Sequence, residues 1–185
     1  MSSSYFNSET IAAIVTAPNA LAGVGVIRVS GDRAWSIVSP MLRSHSGEGE
    51  LDPETVESHR LKRTILRDRD GKILDDGMFV WMKAPRSFTG EEVIELHLHG
   101  SPFLLRRVMH ELQRNGAREA LPGEFSFRAF RNGKLSLDQA ESVADLVASR
   151  SEEGARRALN HILGKPREEI AALRKELVDR LAEVE

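Results

Sequence analysis

The sequence predicts an α+β fold, a mixed β-sheet with helices, followed by an α-helical segment, and three observations carry that prediction. Short β-branched apolar runs separated by turn signals fill most of the first hundred residues. One apolar stripe of helical spacing follows at Pro102. From Ser136 onward, capped runs with apolar residues three and four apart replace the strand pattern.

Taken in order, residues 10–17 (TIAAIVTA) and 23–30 (GVGVIRVS) are two neighbouring strands divided by a Pro-Asn turn signal. Ser30-Gly31-Asp32 reads as a turn into a helix capped by Asp32, with Trp35, Val38, Met41 and Leu42 at helical spacing. The Gly/Glu/Pro-rich stretch from His45 to Glu57 reads as a mobile surface loop. Residues 60–67 and 77–82 flank Asp70-Gly71, a hairpin signal. In the strand expected from Glu92 to His99, Ile94, Leu96 and Leu98 point one way, and Glu95, His97 and His99 the other. Residues 102–114 form a helix with Pro102 in its first turn and Leu104, Leu105, Val108, Met109 and Leu112 on one stripe. Ser136 with Gln139 is a capping-box pattern opening a helix from Leu137 to Ala148. Ser151 caps a second helix running to Leu163, and Pro166 opens a third after the break at Gly164. An α+β domain is therefore expected at residues 1–120, with the first part of a helical domain at 121–185.

Composition narrows the function. The chain has 185 residues, 41 % hydrophobic and 29 % charged, the balance of an ordinary globular protein. It holds no run of about eighteen apolar residues, and its first ten residues are polar, so no membrane association and a cytoplasmic location are expected. The absence of cysteine excludes disulfides and thiolate chemistry in this segment. A formal net charge of −2 supplies no global attraction to nucleic acid.

Gly23-Val-Gly25 lacks the third glycine and the following helix of a dinucleotide fingerprint, so glycines allowing close backbone approach are the expected reading. Gly71-Lys72, Gly133-Lys134 and Gly164-Lys165 are followed by Ile73, Leu135 and Pro166 rather than the Ser or Thr that a phosphate-binding loop needs for magnesium, so no nucleoside-triphosphate site is expected. Glu95, His97 and His99 on one strand face suit either a metal or a polar lining. No further ligand falls at a recognisable spacing, and no metal is expected. A carboxylate such as Glu95 on a rigid strand also suits the paired N–H and amino edge of a pterin or guanine. Arg28, inside an apolar strand, is either an edge charge against aggregation or an anion clamp. Asp138, Glu141, Asp145, Arg156 and Arg157 read as a solvated helix face, and no catalytic residue is assigned.

Several segments together resemble one family. TIAAIVTAP at 10–18, GVGVIRVSG at 23–31, SFTGEEVIE at 87–95 and HGSP at 99–102 are similar to the opening of MnmE/TrmE proteins. LPGEFSFRAFRNGKL at 121–135, LDQAE at 137–141 and ADL at 144–146 continue the likeness in the same order. The resemblance implies an amino-terminal domain like the folate-binding fold of aminomethyltransferases, which binds 5-formyltetrahydrofolate or a related reduced folate and forms a homodimer. It also implies a longer whole protein with an inserted GTPase domain using GTP, magnesium and potassium, here cut off before that domain begins. In the family the whole protein works with the flavoprotein MnmG on the wobble uridine of tRNA.

Carried over residue by residue, the arginine of G-x-G-x-x-R-x-S-G is Arg28, the last glutamate of F-T-G-E-x-x-x-E is Glu95, and the lysine of F-x-N-x-K-L is Lys134; the resemblance implicates all three in holding the folate. Residues 18–23 (PNALAG) are one residue longer than the family's compact P-G-x-G-G and lack its first glycines, so that turn differs. A free-standing folate-dependent one-carbon transferase and a non-catalytic interaction scaffold are the competing readings. The final stripe of Ile170, Leu173, Leu177, Leu181 and Val184 is expected to leave an apolar face needing a partner.

Overall fold

Alternation of apolar and polar residues makes each expected run a strand, and together they build a single sheet. A computed structural model of the chain describes residues 9–16, 22–45, 49 and 51–182. The altered turn at 18–23 lies largely outside the described residues, which take in only its last two. The chain divides into two compact units, Met1–Phe125 and Ser126–Glu185.

In the first unit β1 is Ile11–Ile14, β2 Ala22–Ser30, α1 Ala34–Val38, β3 Leu42–Ser44, β4 Lys62–Arg67, β5 Ile73–Met82, β6 Val93–Gly100, α2 Pro102–Arg114 and β7 Arg118–Glu119. Among the described residues the strands form a seven-stranded sheet in the order β3-β4-β5-β6-β2-β1-β7. Neighbours are antiparallel except β1 and β7, which run parallel, so the sheet is mixed. One face carries Ile27 and Val29 of β2, Phe79 and Trp81 of β5, and Ile94, Leu96 and Leu98 of β6. These pack with Ile37 and Val38 of α1 and Leu105, Val108, Met109 and Leu112 of α2 into one core. Ser101 Oγ caps α2 by accepting from the Leu104 N–H, at 3.5 Å, and Pro102 fills the position where no amide donor is needed.

Space is tight where β2 meets its neighbours. A Cβ at Gly25 would sit 2.6 Å from Leu105 Cδ1 of α2, and one at Gly100 2.3 Å from the Ala22 carbonyl oxygen. Close approach is therefore the purpose of Gly25, whereas Gly23 has open space around it.

Three expectations need correction. Asp32 does not cap α1: its N-cap is Arg33, without a side-chain cap, while Thr10 Oγ1 accepts from the Arg33 N–H at 3.1 Å. The helix ends at Val38, a 3-10 turn spans Ser39–Met41, and Leu42 turns into β3 to pair with Leu66 of β4. The stretch from His45 to Glu57 is anchored at its far end. Asp52 accepts from the Glu54 N–H to start a 3-10 turn at Pro53–Thr55, and Leu51 and Val56 are buried in the core. Residues 46–48 and 50 of that stretch lie outside the described residues. Strand β5 begins at Ile73 rather than Gly77, because Asp68 Oδ1 gathers the N–H groups of Asp70 and Lys72 and tightens the turn. Asp68 Oδ2 also accepts from Arg107 Nη2 at 2.7 Å, fastening the hairpin to α2.

The second unit begins within α3 (Glu124–Arg131), at Ser126, and holds α4 (Leu137–Ala148), α5 (Glu152–Ile162) and α6 (Lys165–Ala182). Gln139 Oε1 accepts from the Ser136 N–H at 2.9 Å, and Ser151 Oγ from the Gly154 N–H at 3.1 Å, so both expected caps form. On α6 Ile170, Leu173, Leu177 and Val178 are exposed. The Leu181 side chain and Val184 lie outside the described residues.

Truncating Phe79, fully buried in β5, is expected to cost about 3–5 kcal/mol. Truncating Phe103, 71 % exposed on α2, is expected to change stability by no more than about 0.5 kcal/mol. Urea unfolding of Phe79→Ala and Phe103→Ala, followed by circular dichroism, checks both values.

Candidate functional site

The face of the sheet opposite the core carries the charged residues. Register places Arg28 of β2 directly across from Glu95 of β6, with Ala13 of β1 and Val80 of β5 completing the row. Arg28 Nε donates to Glu95 Oε1 at 2.8 Å, and Nη2 lies 2.7 Å from the same oxygen. Both side chains are largely buried, with exposures of 26 % and 16 %. Because β2 lies inside the sheet, between β6 and β1, the edge-charge reading of Arg28 is wrong. The arginine instead orients and neutralises a carboxylate held on a rigid strand.

Two loops bring aromatic rings to this pair. In the first, Ser87 Oγ donates to the Glu91 carbonyl, Ser30 Oγ lies 2.8 Å from Thr89 Oγ1 and donates to Glu91 Oε2, and Gly90 adopts φ +79°. The loop is thereby pinned to the end of β2, and the Phe88 ring centroid lies 5.5 Å from Arg28 Cζ. In the second, the buried Glu124 accepts two hydrogen bonds from Arg118, at 2.6 and 3.0 Å, and one from the Leu121 N–H at 2.8 Å. That bond to Glu124, ahead of a contact with Glu9, raises the Arg118 pKa further. The clamp sets the start of α3, where the Phe125 ring centroid is also 5.5 Å from Arg28 Cζ. Sequence reading did not single out Phe88 and Phe125 as site residues, although both stand inside the matched motifs.

The three polar residues of β6 do not act as one cluster. His97 lies beside Glu95, with Nε2 3.4 Å from Oε2. His99 turns to Asp75 of β5: its N–H donates to Oδ2 at 2.9 Å, and ring Nδ1 lies 2.7 Å from Oδ1. Among the described residues no three His, Cys, Asp or Glu side chains gather as a metal-binding group. Lys134 is exposed in the turn closing α3, where Gly133 adopts φ +70° and the Lys134 N–H donates to the Ala129 carbonyl at 2.8 Å. It belongs to the second unit. Asp138, Glu141 and Asp145 line a cleft of about 370 Å³ between α4 and α5 together with Arg157 and His161, and Arg157 is paired with Glu153.

A mostly antiparallel sheet with helices on one face and an ion-paired, aromatic-flanked polar centre on the other defines an α+β domain that presents a charged site from a rigid sheet. A model of the family described as GTP-binding protein TrmE N-terminus matches residues 10–134, and the chain belongs to that family. The chain is 49 % identical over 179 residues to a tRNA modification GTPase MnmE of Synechococcus sp. (strain JA-2-3B'a(2-13)), covering 96 % of this chain and 38 % of that protein. A tRNA modification GTPase MnmE of Acetivibrio thermocellus is 37 % identical over 97 % of this chain and 38 % of its own length. Another of Xylella fastidiosa is 43 % identical over 88 % of this chain and 34 % of its own. The chain thus spans well under half the length of these relatives.

The His99–Asp75 bond yields a pH prediction. The hydrogen bond to Asp75, then the charge of that carboxylate, holds the His99 pKa above its ordinary value. A raised folded-state value stabilises the fold fully below about pH 6.5, the unfolded reference, and the contribution is lost as pH rises through the folded value. NMR titration of the imidazole protons should find His99 titrating above the ordinary histidine value, and Asp75→Asn should bring it back down.

Proposed function

We propose that this chain is the amino-terminal part of a tRNA modification GTPase and that the Arg28–Glu95 centre binds a reduced folate of the 5-formyltetrahydrofolate type. One observation carries the reading: a carboxylate fixed by an arginine stands near two phenyl rings on the open face of the sheet. That donor set fits a flat heterocycle with an N–H and amino edge. Both Arg28 contacts fall on Oε1, and Oε2 makes no close hydrogen bond to the neighbouring His97, leaving acceptor capacity for the ligand. The phenyl rings supply apolar surface for the ring system. Lys134 enters through the matched F-x-N-x-K-L motif, as a cation for the ligand's carboxylates or carbonyl groups.

In this reading the segment binds the cofactor and forms the homodimer. The GTPase activity, with its magnesium and potassium, belongs to the remainder of the protein, since no phosphate-binding loop is present in this sequence. The whole protein acts in the cytoplasm with MnmG on the wobble uridine of tRNA, giving modifications of the 5-carboxymethylaminomethyluridine type. The names of the relatives support the tRNA-modifying GTPase role. No described helix is long and apolar enough to cross a membrane.

Isothermal titration of 5-formyltetrahydrofolate into the parent chain and Glu95→Ala tests the site. Loss of the charged acceptor should cost about 1.5–3 kcal/mol of binding, and equal affinity would remove Glu95 from the pterin edge. Dimerisation through the first domain predicts that a chain shortened after Pro166 remains a dimer in light scattering, despite losing the exposed apolar residues of α6. A clean monomer would assign the subunit contact to the helices.

A further inference from the structure

We infer that His97 is a specificity-determining residue of this site: it donates to the 4-oxo oxygen of a pterin whose adjacent ring N–H is accepted by Glu95. The inference rests on the folate reading above and adds a residue and a selectivity to it.

The argument begins with an unmet hydrogen bond. His97 Nε2 is shut off from water and has no hydrogen-bond partner, although the side chain as a whole is 32 % exposed. Its cross-strand neighbours, Val26 of β2 and Met78 of β5, offer at most a weak thioether acceptor. The carboxylate oxygen facing it, Glu95 Oε2, stands 3.4 Å away without a bond between them. A buried polar atom left in this condition beside a binding carboxylate is a deficit that a ligand can repair.

The spacing selects the ligand group. Glu95 Oε2 accepts, and His97 Nε2, in the tautomer with its hydrogen there, donates. Side by side, they read a neighbouring donor and acceptor. In a lactam the nitrogen and oxygen stand about 2.2 Å apart, from the C–N and C=O bond lengths and a trigonal angle. Two roughly parallel hydrogen bonds therefore join that unit to a pair of protein atoms 3.4 Å apart with slight divergence. The imidazole reaches it by turning about its terminal torsion, which is soft. A 4-amino pteridine presents the opposite pattern: its amino group meets a donor, and its neighbouring ring nitrogen has lost the hydrogen that Glu95 would accept.

Calorimetry compares 5-formyltetrahydrofolate with 5-formyltetrahydroaminopterin, which carries an amino group in place of the 4-oxo group. The parent chain should prefer the oxo compound by about tenfold or more, the range of one or two hydrogen bonds made or opposed. His97→Ala should weaken the oxo compound about 2- to 12-fold without weakening the amino compound, narrowing the preference. His97→Gln, whose amide also donates, should restore part of it and serves if the alanine variant folds poorly. A His97→Ala chain that loses affinity for both compounds equally, or for neither, overturns the inference while the folate reading stands. A parent chain that binds neither compound overturns the folate reading itself, and this inference with it.

Discussion

The pairing of β2 with β6 is the constraint on which core and site both depend. Side chains alternate between the two faces of a strand, so a slip of one residue would carry Ile27 and Val29 to the open face and turn Arg28 inward. Both strands lie inside the sheet, with β1 and β5 on their outer sides, which leaves no edge along which register could drift. At one end of the pair there is no room for a Cβ at Gly25, against Leu105, or at Gly100, against Ala22. From Gly25–Leu98 to Ser30–Val93 the register then runs without a break, and Arg28 meets Glu95 within that stretch.

Seen from this pairing, the charged residues on the open face are inexpensive to place. Arg28 and Glu95 neutralise one another, so neither brings an uncompensated charge to a partly desolvated surface. The backbone of both strands is already committed to the ladder, so only the side-chain torsions remain to be ordered. The loops at 87–91 and 121–124 follow the same economy, each tied by its own polar side chains before it delivers a phenyl ring. A rigid polar centre is assembled from elements that would be stable for other reasons.

What could be read in advance was what local chemistry determines. The limits of α2 and α4 follow from Ser101-Pro102 and from Ser136 with Gln139, each acting within one helical turn. The division of β6 into an apolar and a polar face follows from its alternation alone. Strands β3 and β7, three and two residues long, have no pattern of their own and exist because β4 and β1 offer them a ladder. For the same reason α1 stops early: Leu42 gains more from pairing with Leu66 than from another helical turn. Arg28 and Glu95 each stood out as a charge in a strand, but their partnership joins positions 67 residues apart and waits on the register. His99 stood out too, while its partner Asp75 was hidden because β5 begins earlier than its apolar residues suggest.

The central place of β2 bears on the dynamics of the site. Its amides and those of β6 are held in ladders on both flanks, whereas α6 exposes much of its apolar surface. Local opening draws first on segments with few buried contacts, so the helical end can fray and reclose many times while the middle of the sheet stays shut. Backbone hydrogens of residues 26–29 and 94–97 are then among the last to exchange with solvent, released only by global unfolding. The Arg28–Glu95 pairing therefore persists until the domain itself is lost.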